Sequence, residues 1–194
     1  MDPRGDHGAV GTGGTRRAGG TGRAARHAGA PGRGGRDRTP VSGPQDGISE
    51  LPFFVYGTLR PGEANHTRHL RGRTAAEEPA HWPGGLLYDG PGWPWALEPG
   101  PGGHASVSAG VTGTLVTAAP GRYRRLLADL DELEEYFGPG HPRNLYERTV
   151  REVTRADGTP VAAWVYLTAA GPAAGLRANG VPIPGGDWLT RHPR

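Results

Sequence analysis

The chain has 194 residues, among them 35 glycines and 20 prolines, with no cysteine and a formal charge of +3. The lack of cysteine excludes disulfides, thiolate catalysis and cysteine-bound zinc, and no apolar run approaches the ~20 residues that span a bilayer, so a cytoplasmic protein is expected. The charge is uneven: residues 1–50 hold eight arginines against five carboxylates, while the remainder balances at fourteen of each, so the rest of the chain has no global bias toward nucleic acid.

Residues 1–50 contain 14 glycines and no aromatic residue. Such a segment cannot bury enough surface to offset its ordering entropy, and a disordered tail is expected. It reads as a solvated extension, as translation from a start placed too far upstream, or as a weak RGG-type segment (GRGGRDR at 32–38) that holds nucleic acid by charge. A single domain is expected over 51–194, beginning with the apolar run LPFFVY at 51–56, which has strand length and stops at Gly57. The following Gly57-Thr58-Leu59-Arg60-Pro61-Gly62 forms a loop with accessible backbone N–H and C=O groups, able to cradle a carboxylate or phosphate. It lacks the spaced glycines and Gly-Lys-Ser/Thr end of a P-loop. His66 and His69 have the i, i+3 spacing of a metal pair but no third ligand at suitable spacing, so surface positions are expected and no metal is assigned.

A short strand is expected at 84–89 and a glycine-interrupted one at 107–117. The intervening 91–103 reads as a loop, with Trp93 and Trp95 either anchoring it or touching a bound molecule. A helix is expected over 121–136 and a loop over 138–144. Two further strands, 145–155 and 160–168, flank Asp157-Gly158, a strong hairpin signal. Tyr146 and Arg148 stand two apart on the first of them and share a face. One long helix among several strands predicts an α+β fold with a mixed or antiparallel, barrel-like sheet.

The helix carries five carboxylates, in ADLDELEEYFG at 128–138. At about 100° per residue with Leu126 at zero, Leu133 falls near −20°, Leu130 near 40°, Tyr123 near 60° and Leu127 near 100°, a single apolar stripe. Asp129, Asp131, Glu132 and Glu135 lie outside it or at its margin and read as a solvated face. Glu134 falls near 80°, inside the stripe. A carboxylate there is ion-paired, protonated or facing a cavity, unless the helix ends early and releases it. Buried, it would have the raised pKa of a general base that works near neutrality.

Together these stretches resemble the gamma-glutamylcyclotransferase-like superfamily. FFVYGTLRPGEANH is similar to its strand-and-loop signature, LYDGPGWPWAL to the segment that follows, and Leu130-Asp131-Glu132-Leu133-Glu134 to its Leu-Asp-x-x-Glu helix motif. Leu145-Tyr146-Glu147-Arg148 is similar to its Tyr-x-Arg, AWVYL to its late strand and Ile183-Pro184-Gly185-Gly186-Asp187-Trp188 to its C-terminal close. The resemblance covers roughly 51–190. Glu135 stands where the family often has Gly, Trp95 precedes Ala96, and 98–104 reads as an insertion.

The resemblance implies a small β-barrel with flanking helices and a reaction in which the α-amine of a γ-glutamyl group attacks its own γ-carbonyl, releasing an amine and 5-oxoproline. By position Glu134 would be the general acid/base. Val55, Tyr56, Gly57, Thr58, Leu59 and Arg60 would hold the glutamyl amino and carboxylate groups, largely through backbone. Tyr146 would stand near the glutamyl group or pack in the sheet, and Asp187-Trp188 would pack the C-terminal end or line the pocket. No cofactor is implied, and the partner is a small γ-glutamyl molecule. A non-catalytic binding domain of the same fold and a tail-mediated nucleic-acid binder are the alternatives.

Overall fold

Residues 50–100 and 110–191 are described by a computed structural model. The expected tail, apart from Glu50, lies outside the described residues, as do 101–104 of the expected insertion and 107–109 of the expected third strand. In chain order the elements are β1 (Phe53–Val55), β2 (Thr74–Trp82), β3 (Leu86–Tyr88), β4 (Trp95–Leu97), β5 (Val111–Ala118), α1 (Tyr123–Leu133), β6 (Tyr146–Arg155), β7 (Pro160–Thr168) and α2 (Ala170–Asn179). Five strands close into a barrel in the order β1-β5-β2-β6-β7, while β3 and β4 form a separate two-stranded sheet. The barrel pairs are antiparallel except β1 with β7, which meet in parallel at Phe53 and Trp164 and close it. The fold is therefore α+β, a mixed barrel with flanking helices.

The closing strands owe their double-sided burial to period-2 alternation. Phe53 and Val55 join one apolar cluster and Phe54 and Tyr56 another; Tyr166 and its neighbours Val165 and Leu167 divide the same way. The cluster of Phe53, Val55, Val116 and Tyr166 receives Leu126, Leu127 and Leu130, which seats α1 against the barrel wall. At ~1.5–3 kcal/mol for each buried leucine, this packing rather than helix propensity holds α1 in place. The β6–β7 hairpin turns at Asp157-Gly158: Gly158 takes φ 86°, and Asp157 Oδ1 accepts the Thr159 N–H at 2.8 Å.

Three elements depart from the sequence reading. β2, TAAEEPAHW, is poor in strand formers and no strand is expected there. It forms by pairing with β5 along its length, whereas β6 reaches only Ala80 and His81. Pro79 thus sits where one side of the strand is unpaired, the position at which a missing N–H does least harm. Its two carboxylates are matched from outside the strand, Glu77 by His66 at 2.8 Å and Glu78 by Arg155 at 3.1 Å. β4 lies within the expected 91–103 loop and is held by β3 and by the Thr168 hydroxyl, which donates to the Ala96 carbonyl at 3.0 Å. α2, AGPAAGLRAN, is a second helix where none is expected, with Pro172 in its first turn, where a missing N–H is harmless.

Candidate active site

The helix expected over 121–136 spans Tyr123–Leu133 and buries Tyr123, Leu126, Leu127 and Leu130, the expected stripe. It ends in a Schellman arrangement: the N–H of Tyr136 donates to the Asp131 carbonyl at 2.9 Å and that of Glu135 to the Glu132 carbonyl at 3.3 Å. This close needs a left-handed residue after the cap. Glu135 supplies it at φ 49°, the sole non-glycine with positive φ among the described residues, at a strain of roughly 1 kcal/mol. Glu134 is the cap residue, at φ −88° and ψ 7°. The helix does end early, but Glu134 lines a cavity instead of turning out to solvent.

That cavity has a volume of about 320 Å³, enough for a small molecule. Its walls include Val55 at the end of β1 with Tyr56, Gly57, Thr58 and Leu59 after it; Pro94 and Trp93 before β4; Leu133, Glu134 and Glu135 at the end of α1; and the barrel tyrosines Tyr146 and Tyr166. Every residue that the sequence reading places at the site lies here except Arg60. Its guanidinium is engaged by Asp187 at 2.5 Å, so it ties the loop to the C-terminal segment, where Trp188 is buried in the core. Neither Asp187 nor Trp188 lines the cavity.

The Glu134 carboxylate has no hydrogen-bond or ion-pair partner among the described residues, and burial alone raises its pKa from 4.5 to about 7. The phenols around it are otherwise committed. Tyr56 donates to the Tyr166 carbonyl at 2.5 Å, Tyr146 to the Pro94 carbonyl at 2.9 Å, and Tyr166 to Asp131 Oδ1 at 2.7 Å. Burial pushes all three phenols well above their ordinary pKa, and the Glu134 charge adds to the shift in each. They stay neutral, shape the cavity and leave Glu134 free to exchange a proton.

Facing Glu134, the loop after β1 is drawn into a tight turn by the Arg60 N–H, which donates to the Gly57 carbonyl at 3.0 Å. The Thr58 hydroxyl accepts from the Asn65 carboxamide at 2.9 Å. The N–H groups of Gly57, Thr58 and Leu59 have no acceptor among the described residues. Gly57 is required by close approach: a Cβ there would stand 2.6 Å from Pro94 Cγ. Tyr146 stacks on Trp95 at 5.2 Å, which fixes the wall opposite.

One contributor escapes the sequence reading. Asp131, placed there on the solvated face, is half-buried. It binds Arg148 at 2.7 Å as well as the Tyr166 hydroxyl, and burial, outweighing both contacts, raises its pKa above the ordinary value. Arg148 in turn lies over the rings of Tyr136 and Trp164 at 5.1 and 4.9 Å. Asp129 is likewise no free surface charge, since it pairs with Arg73 at 2.7 Å. The available signal was Asp131's position one turn before Glu134 together with the Arg148 that shares a face with Tyr146.

The model of the family "Gamma-glutamyl cyclotransferase, AIG2-like" matches residues 53–190. A curated relative, gamma-L-glutamyl-butirosin B gamma-glutamyl cyclotransferase of Niallia circulans, is 36% identical over 115 residues, which are 59% of this chain and 65% of that protein. This chain thus spans slightly less than two thirds of that relative. Among solved structures, an AIG2-like protein of Mus musculus is 26% identical with a TM-score of 0.43, over 61% of this chain and 77% of that one. YkqA of Bacillus subtilis is 21% identical with a TM-score of 0.48, over 72% of this chain and 40% of that one.

Proposed function

The chain belongs to the gamma-glutamyl cyclotransferase, AIG2-like family, and from that premise we propose that it cyclises a γ-glutamyl amide to 5-oxoproline and a free amine, with Glu134 as the general acid/base. The observation that carries this reading is the Glu134 carboxylate, partnerless among the described residues, facing the cavity and raised to about 7. A group titrating there can take and return a proton near neutral pH.

The chemistry asks little else of the protein. The substrate's α-ammonium, of pKa near 8, gives a proton to Glu134. The freed nitrogen attacks the γ-carbonyl carbon, a new C–N bond closes the five-membered ring, and the carbonyl π electrons move to oxygen. The Glu134 proton passes to the leaving nitrogen, and the carboxylate then takes the second proton of the positively charged ring nitrogen. As the carbonyl re-forms, the bond to the leaving nitrogen breaks, and the released amine takes that second proton and departs as an ammonium. The carboxylate is restored and no water is consumed. Nucleophile and electrophile share one molecule, so a cavity that holds the chain in its folded pose supplies much of the acceleration. Among the described residues no arginine, lysine or histidine lines the cavity; the α-carboxylate and the developing oxyanion therefore fall to the N–H groups of Gly57, Thr58 and Leu59. Arg60 acts by holding that loop through Asp187.

The relative's name identifies a γ-glutamyl compound as its substrate, which supports the same bond type here. The test is stoichiometric. The full chain, incubated with a panel of γ-glutamyl amides and γ-glutamyl amino acids, should release 5-oxoproline and free amine in equal amounts from at least one of them. Release of free glutamate in place of 5-oxoproline would mean hydrolysis and would overturn the assignment.

A further inference from the structure

Four of the described residues lining the cavity carry hydroxyls: Tyr56, Thr58, Tyr146 and Tyr166. The three phenols have spent their protons, on the Tyr166 carbonyl, the Pro94 carbonyl and Asp131. The Thr58 hydroxyl has not. Its oxygen accepts from Asn65 Nδ2 at 2.9 Å, and its proton has no acceptor among the described residues. A hydroxyl offers one donor and two acceptor directions, so an oxygen already engaged by an N–H keeps its proton turned elsewhere. Asn65 also lines the cavity, and both residues are half-buried. Asn65 stands at the start of the short helical turn His66–Leu70, where an asparagine commonly caps the helix with its side chain. It makes no such cap here; the carboxamide reaches back seven residues to Thr58 instead. The next residue holds the same target. The His66 N–H donates to the Thr58 carbonyl at 3.2 Å, and the His66 ring meets Glu77 on β2 at 2.8 Å. Both Thr58 oxygens are thus fixed from one place, which is itself tied to the barrel.

We infer that Asn65 is a positioning residue, whose carboxamide turns the Thr58 hydroxyl proton into the cavity to bind the substrate's α-carboxylate. The inference rests on the cyclisation proposed above; it adds to the backbone N–H groups a side-chain donor and the residue that aims it. Among the described residues no basic side chain lines the cavity, so a permanent anion must be matched there by neutral donors. Three N–H groups have to serve both the α-carboxylate and the oxyanion, and one more donor relieves that shortage. A hydrogen bond to a carboxylate is roughly twice as strong as one between neutral groups. Because the proton is aimed before the substrate arrives, little ordering is left to be done on binding. The α-carboxylate keeps its charge throughout ring closure, so the contact holds substrate, transition state and product alike.

The product carries the same carboxylate, so titration calorimetry of 5-oxoproline with the full chain reads the contact without turnover. Thr58→Val should weaken binding about tenfold, and Thr58→Ser should restore most of the loss. Asn65→Leu should weaken it about three- to tenfold. Asn65→Ala, with a smaller side chain, should do the same and guards against a folding artefact. The Thr58→Val/Asn65→Leu double variant should bind no more weakly than Thr58→Val alone, because Asn65 acts through that hydroxyl. With a γ-glutamyl amide that the native chain cyclises, the same variants should raise KM by similar factors and leave kcat within about threefold. Asn65 variants that bind as tightly as the native chain would mean that the hydroxyl donates to Asn65. Losses that multiply in the double variant would mean that the two residues act separately. A fall in kcat at constant KM would put the hydroxyl on the oxyanion. Each of these three results overturns the inference and leaves cyclisation standing. A native chain that forms no 5-oxoproline from any γ-glutamyl compound overturns both together.

Discussion

Glu134 sits where stability and chemistry make opposite demands. Its pKa is 4.5 before burial and about 7 in the fold. Below about pH 4.5 it is protonated in folded and unfolded chains alike and carries no penalty. As pH rises through 7 the folded protein must hold a buried, unpartnered charge that the unfolded chain exposes to water. The stability present at low pH is therefore lost across pH 4.5–7, by an amount on the order of 3 kcal/mol. Glu134→Gln should accordingly be more stable than the native protein at pH 8 and about equal to it at pH 4.5. Urea denaturation at both values checks this; equal stability at pH 8 would mean that the carboxylate is solvated or paired. The wheel made Glu134 legible because its neighbours repeat with helical period. It could not show that the residue has no partner, since a partner comes from elements distant in sequence. Gly57 was legible only as a strand end. Its need for a bare Cα comes from Pro94, 37 positions away. Gly57→Ala should displace the Pro94 wall, costing about 1–3 kcal/mol and lowering kcat/KM at least tenfold; a crystal structure with Pro94 unmoved would contradict the account.

At the scale of elements, the end of α1 is clamped by Asp131, which joins the helix to Arg148 on β6 and Tyr166 on β7. Asp131→Asn keeps an acceptor for Tyr166 but leaves the Arg148 charge unneutralised. Stability should fall by about 1–3 kcal/mol. Urea denaturation checks this; unchanged stability in Asp131→Asn would contradict the clamp. The helix, the β6–β7 hairpin and β1 were legible through periodicity, turn chemistry and apolar runs. β2, β4 and α2 were not, because each is specified by what it packs against. TAAEEPAHW becomes a strand by lying along β5, and WAL by lying along β3 under the Thr168 hydroxyl.

For the whole molecule, barrel closure is what makes a site. The parallel meeting of β1 with β7 at Phe53 and Trp164 brings the loop after β1 beside Tyr166, and the apolar cluster beneath α1 sets Glu134 opposite that loop. Mixed-barrel architecture could be expected from the order of strands and hairpin, and the resemblance over 51–190 agreed with it. The cavity could not be read from sequence, since its walls come from segments far apart in the chain and depend on the closure register. Among the described residues no helix is long and apolar enough to cross a membrane. The central claim is that one buried carboxylate moves the proton. It is tested most directly by the pH dependence of kcat for 5-oxoproline formation, measured on the native chain and on Glu134→Gln. The account predicts an acid limb near pH 7 in the native chain and a loss of about 10²–10⁴ in the variant. A variant within a few-fold of native, or a native limb near pH 4.5, would contradict it.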